Sequence, residues 1–229
     1  CFDDLEDGHA RAIYKNISSL DLFNYGRVKM FFHANSDSDD DEMTAFLRMG
    51  TDFDQNYYEI EIPLKITNPA NTSVEREIWP EENEIDLALT ELYALKAARD
   101  REGFPLTEMY PREGPKVFGR HRIRIFGRPD LSSVQVLMIG IRNPTTSDKR
   151  MHSVCFWANE LRVTDFDRTA GWAVSSTLSA KLADFAVVTG AFRHTTFGFG
   201  AVSSKIFERT RDETTAYDIS ASVQVDKLL

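Results

Sequence analysis

The strongest constraint in this sequence is a two-residue alternation of apolar and charged side chains. Tyr58, Ile60, Ile62 and Leu64 alternate with Tyr57, Glu59 and Glu61. A segment with that period separates its apolar side chains onto one face only as a β-strand. The acids then predict a half-buried strand, with Glu59 and Glu61 pointing to solvent. Pro63 near its end marks an edge strand or a bulge, because proline cannot donate to a ladder. The same period recurs in Val28, Met30 and Phe32 against Arg27 and Lys29, and in Ala45, Leu47 and Met49 against Phe46 and Arg48. It returns in Ile123 and Ile125 against Arg122 and Arg124. Residues 134–141 are apolar on both faces, which predicts a central strand.

One segment carries a different period. Ile85, Leu89, Leu92 and Leu95 are spaced as a helical stripe. The spacing predicts a helix over about 84–100, with Asn83 as N-cap and acids in its first turn. Gly103 and Pro105 supply the stop. Short strands broken by turns, with a single helix, predict for residues 1–165 an antiparallel two-sheet sandwich, jelly-roll-like.

Composition narrows the function classes. With 229 residues, 42% of them apolar, the chain has ample material for a core, so wholesale disorder is excluded. A net charge of -9 argues against generic nucleic-acid binding, which needs a basic face. No apolar run approaches the roughly 18 residues of a membrane-spanning helix. The chain opens on Cys-Phe-Asp-Asp without the layout of a signal peptide and closes on Lys-Leu-Leu after an alternating segment, so it reads as a piece of a longer protein.

Beyond about residue 165 the alternation changes character. Trp172, Val174, Leu178, Ala180 and Leu182 alternate with Ala173, Ser175, Thr177, Ser179 and Lys181. Tyr217, Ile219, Ala221, Val223 and Val225 alternate with Ala216, Asp218, Ser220, Ser222 and Gln224. Stretches of this length with a small, polar second face are the pattern of a transmembrane β-strand, apolar to lipid and polar to the lumen. A soluble strand can carry the same pattern. Between them stand a Gly-aromatic turn region, 195–200, and a charged loop, 208–213.

Several constellations are candidates for chemistry. Asp37, Asp39, Asp40, Asp41 and Glu42 cluster on one loop, and clustered carboxylates suit a hard cation such as calcium. The spacing lacks the glycine and distal glutamate of an EF-hand, and a solvated hairpin loop is the alternative. Arg112, Lys116, Arg120, His121, Arg122, Arg124 and Arg128 form a basic segment suited to an anion or an acidic partner, or else to a solvated sheet face opposite Glu59 and Glu61. Glu59 and Glu61 share a face, as a glycosidase pair would, but a bare surface explains them as well. No nucleophile elbow, phosphate loop or metalloprotease motif is present, so no enzyme is expected. Two cysteines cannot form a four-ligand zinc site. In a jelly roll the first and last strands lie side by side, which would bring Cys1 and Cys155 within bridging distance.

Residues 154–163 read Val-Cys-Phe-Trp-Ala-Asn-Glu-Leu-Arg-Val, followed by Thr164-Asp165-Phe166-Asp167, Gly171-Trp172-Ala173 and Leu182-Ala183-Asp184-Phe185. Upstream stand Phe31-Phe32-His33-Ala34, Asp41-Glu42-Met43, Asn56-Tyr57-Tyr58-Glu59 and Trp79-Pro80-Glu81-Glu82-Asn83. Downstream stand Thr196-Phe197-Gly198-Phe199-Gly200 and residues 208–213, Glu-Arg-Thr-Arg-Asp-Glu. In this order the blocks resemble the SprA/Sov family, the outer-membrane translocon of the type IX secretion system in Bacteroidetes. Ala170-Gly171-Trp172 departs from an expected Gly-Gly-Trp step, and Val202-Ser203-Ser204-Lys205 from an expected Leu-Glu-Gln-like stretch. The resemblance implies a sandwich domain attached to a large outer-membrane β-barrel, with residues 166–229 supplying barrel strands and a connecting loop. It implies export of folded cargo proteins, a link to gliding motility, and no catalytic residue or cofactor. The implied partners are an outer-membrane shuttle protein, a periplasmic plug protein, secreted cargo and the lipid bilayer, without nucleic acid. The competing reading is a carbohydrate- or peptide-binding sandwich of a bacterial surface protein, with exposed aromatics such as Phe46 or Tyr57 as the platform.

Overall fold

The alternation over residues 57–64 becomes strand β5 (Tyr57–Pro63), and among the described residues each period-2 segment named above falls largely within a strand of the computed structural model. The structure describes residues 1–67, 74–183, 186–201, 204 and 208–224. Asp184, Phe185, Val202, Ser203, Lys205, Val225 and the closing Lys-Leu-Leu lie outside them. The chain is mainly β and divides into two units, Cys1–Asp167 and Arg168–Leu229.

The first unit holds two antiparallel sheets. One has four strands in the order β1 (Phe2–Leu5), β10 (His152–Thr164), β3 (Arg27–Ser36) and β6 (Glu84–Ala88). The other has six: β2 (Ala10–Leu20), β9 (Val134–Arg142), β4 (Thr44–Gly50), β5, β8 (His121–Phe126) and β7 (Lys116–Phe118). Both sheets feed one core. Val28, Met30 and Phe32 of β3, with Ile85 and Leu87 of β6, share it with Ala45, Leu47, Met49, Ile60, Ile62, Ile123 and Ile125 of the larger sheet. Strand β9 pairs with β2 and β4 on its two sides, the central position its two apolar faces require. Pro63 sits at the last position of β5, and β5 lies between β4 and β8, so it is not an edge strand.

The helix is shorter than its stripe suggests. Residues Glu84–Ala88 form strand β6, and helix α2 runs Leu89–Glu102, preceded by a short helix α1 (Glu75–Ile78). Ile85, Leu87 and Leu89 also alternate with period two, and pairing of Ile85 with Met30 and Leu87 with Val28 decides the competition for a strand. Asn83 is no cap. It is fully buried, accepting from the Lys65 backbone N–H at 2.7 Å and donating to the Lys65 carbonyl at 2.8 Å. The first orphan N–H of α2, on Leu89, is satisfied instead by the Gly26 carbonyl at 2.9 Å. Leu89, Leu92 and Leu95 enter the core, and Gly103 ends the helix in the left-handed region at φ 62°.

The second unit is a three-stranded antiparallel sheet of β11 (Ala173–Leu182), β12 (Ala186–Thr195) and β13 (Thr214–Val223), each of ten residues. Strand β12 was not indicated by the sequence, because Gly190 and Ala191 interrupt its alternation. Its pairing register is continuous along both neighbours.

Candidate functional site

The outer face of the six-stranded sheet differs most from expectation. Cross-strand register sets Arg48 beside Glu59, and Glu59 and Glu61 beside Arg124 and Arg122. Glu59 and Glu61 do not point into water: they are 1% and 5% exposed. Arg48 Nε donates to Glu59 at 2.6 Å, Arg142 Nη2 donates to the same carboxylate at 3.2 Å, and Arg142 also pairs with Glu61. The two guanidiniums lie over aromatic rings: Arg48 is 4.3 Å from the Tyr57 ring centre, and Arg142 is 5.0 Å from that of Phe46. Stacked arginines therefore roof both the carboxylates and the rings. A Cβ at Gly140 would run into the Phe46 ring, so the glycine lets that ring lie flat on β9. Phe46 and Tyr57 are buried and form no exposed aromatic platform. Burial also pushes the Tyr57 phenol above its ordinary pKa. With both carboxylates committed to arginines, neither is placed to pass a proton to a ligand.

The rest of the basic segment is dispersed. Arg120 reaches the Pro63 carbonyl at 2.8 Å and pairs with Asp41, while Arg112 pairs with Glu108. The acidic loop is likewise held by separate protein donors. Asp37 accepts from the Ser153 N–H at 3.0 Å and contacts His152 at 3.2 Å. Asp40 accepts from the Ile66 N–H at 2.8 Å, and Glu42 accepts from Arg150 at 2.7 Å and from the Asp39 N–H at 2.9 Å. Among the described residues no three His, Cys, Asp or Glu side chains group to hold a metal. Cys1 and Cys155 are joined in a disulfide, opposite each other where β1 runs beside β10.

In the second unit, register sorts most of the side chains by polarity, with Ser176, His194 and Thr215 on the mainly apolar face and Val187 on the polar one. Val174, Leu178 and Leu182 share a face with Phe192, Val188 and with Tyr217, Ile219 and Val223. Ser175, Thr177, Ser179 and Lys181 share the other face with Arg193 and Thr189, and with Asp218 and Ser220. On that polar face the Thr189 and Ser220 hydroxyls meet at 2.5 Å. The apolar face is bare: Leu178 is 71%, Ile219 77% and Tyr217 80% exposed. Water-soluble sheets usually cover such a face. At the end of the sheet Gly171 packs against the Gly198 backbone, and Trp172 Nα donates to Thr196 Oγ1 at 2.8 Å.

Sequence reasoning also missed a cavity of about 330 Å³ in the first unit that brings together Phe31, Trp79 and Glu160. These residues come from three blocks remote in sequence, and no local pattern signals their meeting.

A two-sheet sandwich followed by a three-stranded sheet with a bare apolar face defines a mainly β protein. The SprA N-terminal family model, described as motility related/secretion protein, matches residues 1–229. The chain belongs to that family and is thus a motility- or secretion-related protein. No curated protein matches it.

Proposed function

We propose that this chain is a non-catalytic segment of an outer-membrane channel that exports folded proteins, as in the type IX secretion translocon. Its first unit is a sandwich domain attached to the channel, and strands β11, β12 and β13 belong to the barrel wall. The observation that carries this reading is the bare apolar face of Leu178, Phe192, Tyr217 and Ile219 behind a face of serine, threonine and charge. Transmembrane strands have that division, with lipid outside and an aqueous lumen inside. Open edges are not stable in hydrocarbon, so β11 and β13 need further strands of the same barrel. The shuttle protein, the plug protein and the secreted cargo belong to this proposal as partners of the whole channel.

The test uses single cysteines in the full-length protein in outer membranes. The native Cys1 and Cys155 are already paired and stay silent toward maleimide. A water-soluble maleimide is expected to label cysteines at Ser179 and Ser220, and brominated lipid to quench a fluorophore at Leu178 or Ile219. Equal aqueous labelling of both faces would overturn the proposal.

A further inference from the structure

The outer face of the four-stranded sheet carries a built cavity. Register pairs Phe31 with Asn159 and His33 with Trp157, so these four share the face turned away from Val28, Met30 and Phe32. Trp79, which follows α1, sits over this face with its ring 5.8 Å from His33, and the His33 ring lies 4.8 Å from Trp157. His33 Nδ1 lies 2.7 Å from the Ile78 carbonyl, which ties the end of α1 to the sheet. Strand β10 is irregular between Asn159 and Arg162, and Glu160 within the bulge has φ 55°. A bulge re-aims a side chain that regular pleating would send elsewhere. Here Glu160 and Asn159 line a cavity of about 330 Å³ whose other walls are Phe31 and Trp79.

The charge around it is one-sided. Glu75 and Glu81 join Glu160 in the lining, and Arg76 is the one base among the described lining residues. Arg162, outside the lining, reaches Glu160 at 3.2 Å, with both side chains about half exposed. Such a pair is weak and is exchanged easily for a better-buried guanidinium. The volume lies in the range of small-ligand sites, and aromatic walls beneath carboxylates select a cation by its attraction to both ring faces and negative charge.

We propose that this cavity receives a guanidinium or alkylammonium group, presented as an arginine or lysine side chain on a polypeptide. The aliphatic stem packs between Phe31 and Trp79, and the charged head meets Glu160 and Glu81. The side-chain carbonyl of Asn159 offers a further acceptor. A neutral sugar can donate hydroxyls to the three carboxylates but gains no charge attraction from them, and an anion is repelled.

The test is titration of the intact chain with N-acetyl-arginine methylamide, followed by tryptophan fluorescence. Saturable binding is expected, weakened by added salt. The citrulline analogue, equal in shape and uncharged, is expected to bind about tenfold more weakly or worse. Glu160→Gln and Glu81→Gln, both exposed, leave the fold intact by circular dichroism and each weaken binding by roughly threefold to tenfold. Trp79→Leu removes the fluorescence response, and calorimetry follows its loss of affinity. Equal binding of the citrulline analogue, absence of saturable binding, or indifference to both glutamine variants would overturn the proposal. Binding of agmatine without binding of the capped arginine would overturn the polypeptide source.

Discussion

In Cys1–Asp167 each sheet turns its apolar face toward a second sheet, whereas in Arg168–Leu229 three strands leave theirs bare. Phe32 and Leu47 have no exposed surface, and Leu178 and Ile219 are mostly exposed, although all four stand in strands of the same period. Alternation therefore specifies that a strand has two unlike faces. What each face meets is decided by the neighbours, and the charged face of the first unit teaches the same lesson. Glu59 is as deeply buried as many core residues because Arg48 and Arg142 fold down over it.

The contrast can be broken experimentally, beginning where the effect is largest. Removing the Cys1–Cys155 bond, by Cys1→Ser with Cys155→Ser, is expected to lower first-unit stability by about 4 kcal/mol in urea denaturation, since it opens a very long loop. Phe32→Ala is expected to cost about 3 to 4 kcal/mol by the same measurement, through lost burial and a cavity. Glu59→Gln leaves two arginines facing an uncharged partner and is expected to cost about 2 kcal/mol, discounted because both arginines touch solvent. A loss below about 0.5 kcal/mol would mean that the stacked arginines are self-sufficient on their rings.

A smaller effect is expected at Asp86. Burial works against its charge, but hydrogen bonds from Lys29 at 2.8 Å and Arg27 at 2.6 Å prevail and hold its pKa below the usual carboxylate value. A carboxylate depressed in the folded state stabilises fully above its unfolded pKa of about 4, and the gain is lost as pH falls through the lower folded value. Asp86→Asn should flatten that part of the acid-stability curve, measured by midpoint against pH. Smallest of all, Leu178→Ser in the aqueous chain is expected to shift stability by no more than about 0.5 kcal/mol, since nothing is uncovered. A drop comparable to that of Phe32→Ala would show the apolar face to be covered in water, and the contrast between the units would fall.

Much of the sandwich was legible because period two survives wherever one face is apolar. Strands β3, β4, β5 and β8 follow from it, and β9 follows from a run apolar on both faces. The start of α2 was not, because Ile85 and Leu89 fit both the helical stripe with Leu92 and the alternation with Leu87 until Met30 and Val28 supply strand partners. Strand β12 escaped because Gly190, beside Leu178 and Ile219, presents no side chain to the pattern. The charged face was legible in direction and illegible in burial: no local signal says that an arginine 83 residues away, Arg142, will close over Glu59. The cavity was the least legible, since Phe31, Trp79 and Glu160 meet only through sheet register and a bulge.

The bond between Cys1 and Cys155 has a mechanical consequence. Tension applied between Cys1 and the second unit passes through the sulfur bridge directly into the latter part of β10. The chain from Phe2 to Val154, including β3, β9 and α2, lies in a loop that the bridge bypasses, coupled to the loaded part of β10 through its ladder with β3. The sandwich is thus clamped beside the line of force, and the stretch from the bridge to Asp167 acts as a short tether that cannot lengthen by unfolding it. Reducing the bridge would place the whole domain in series with the pull, turning that tether into an extensible one.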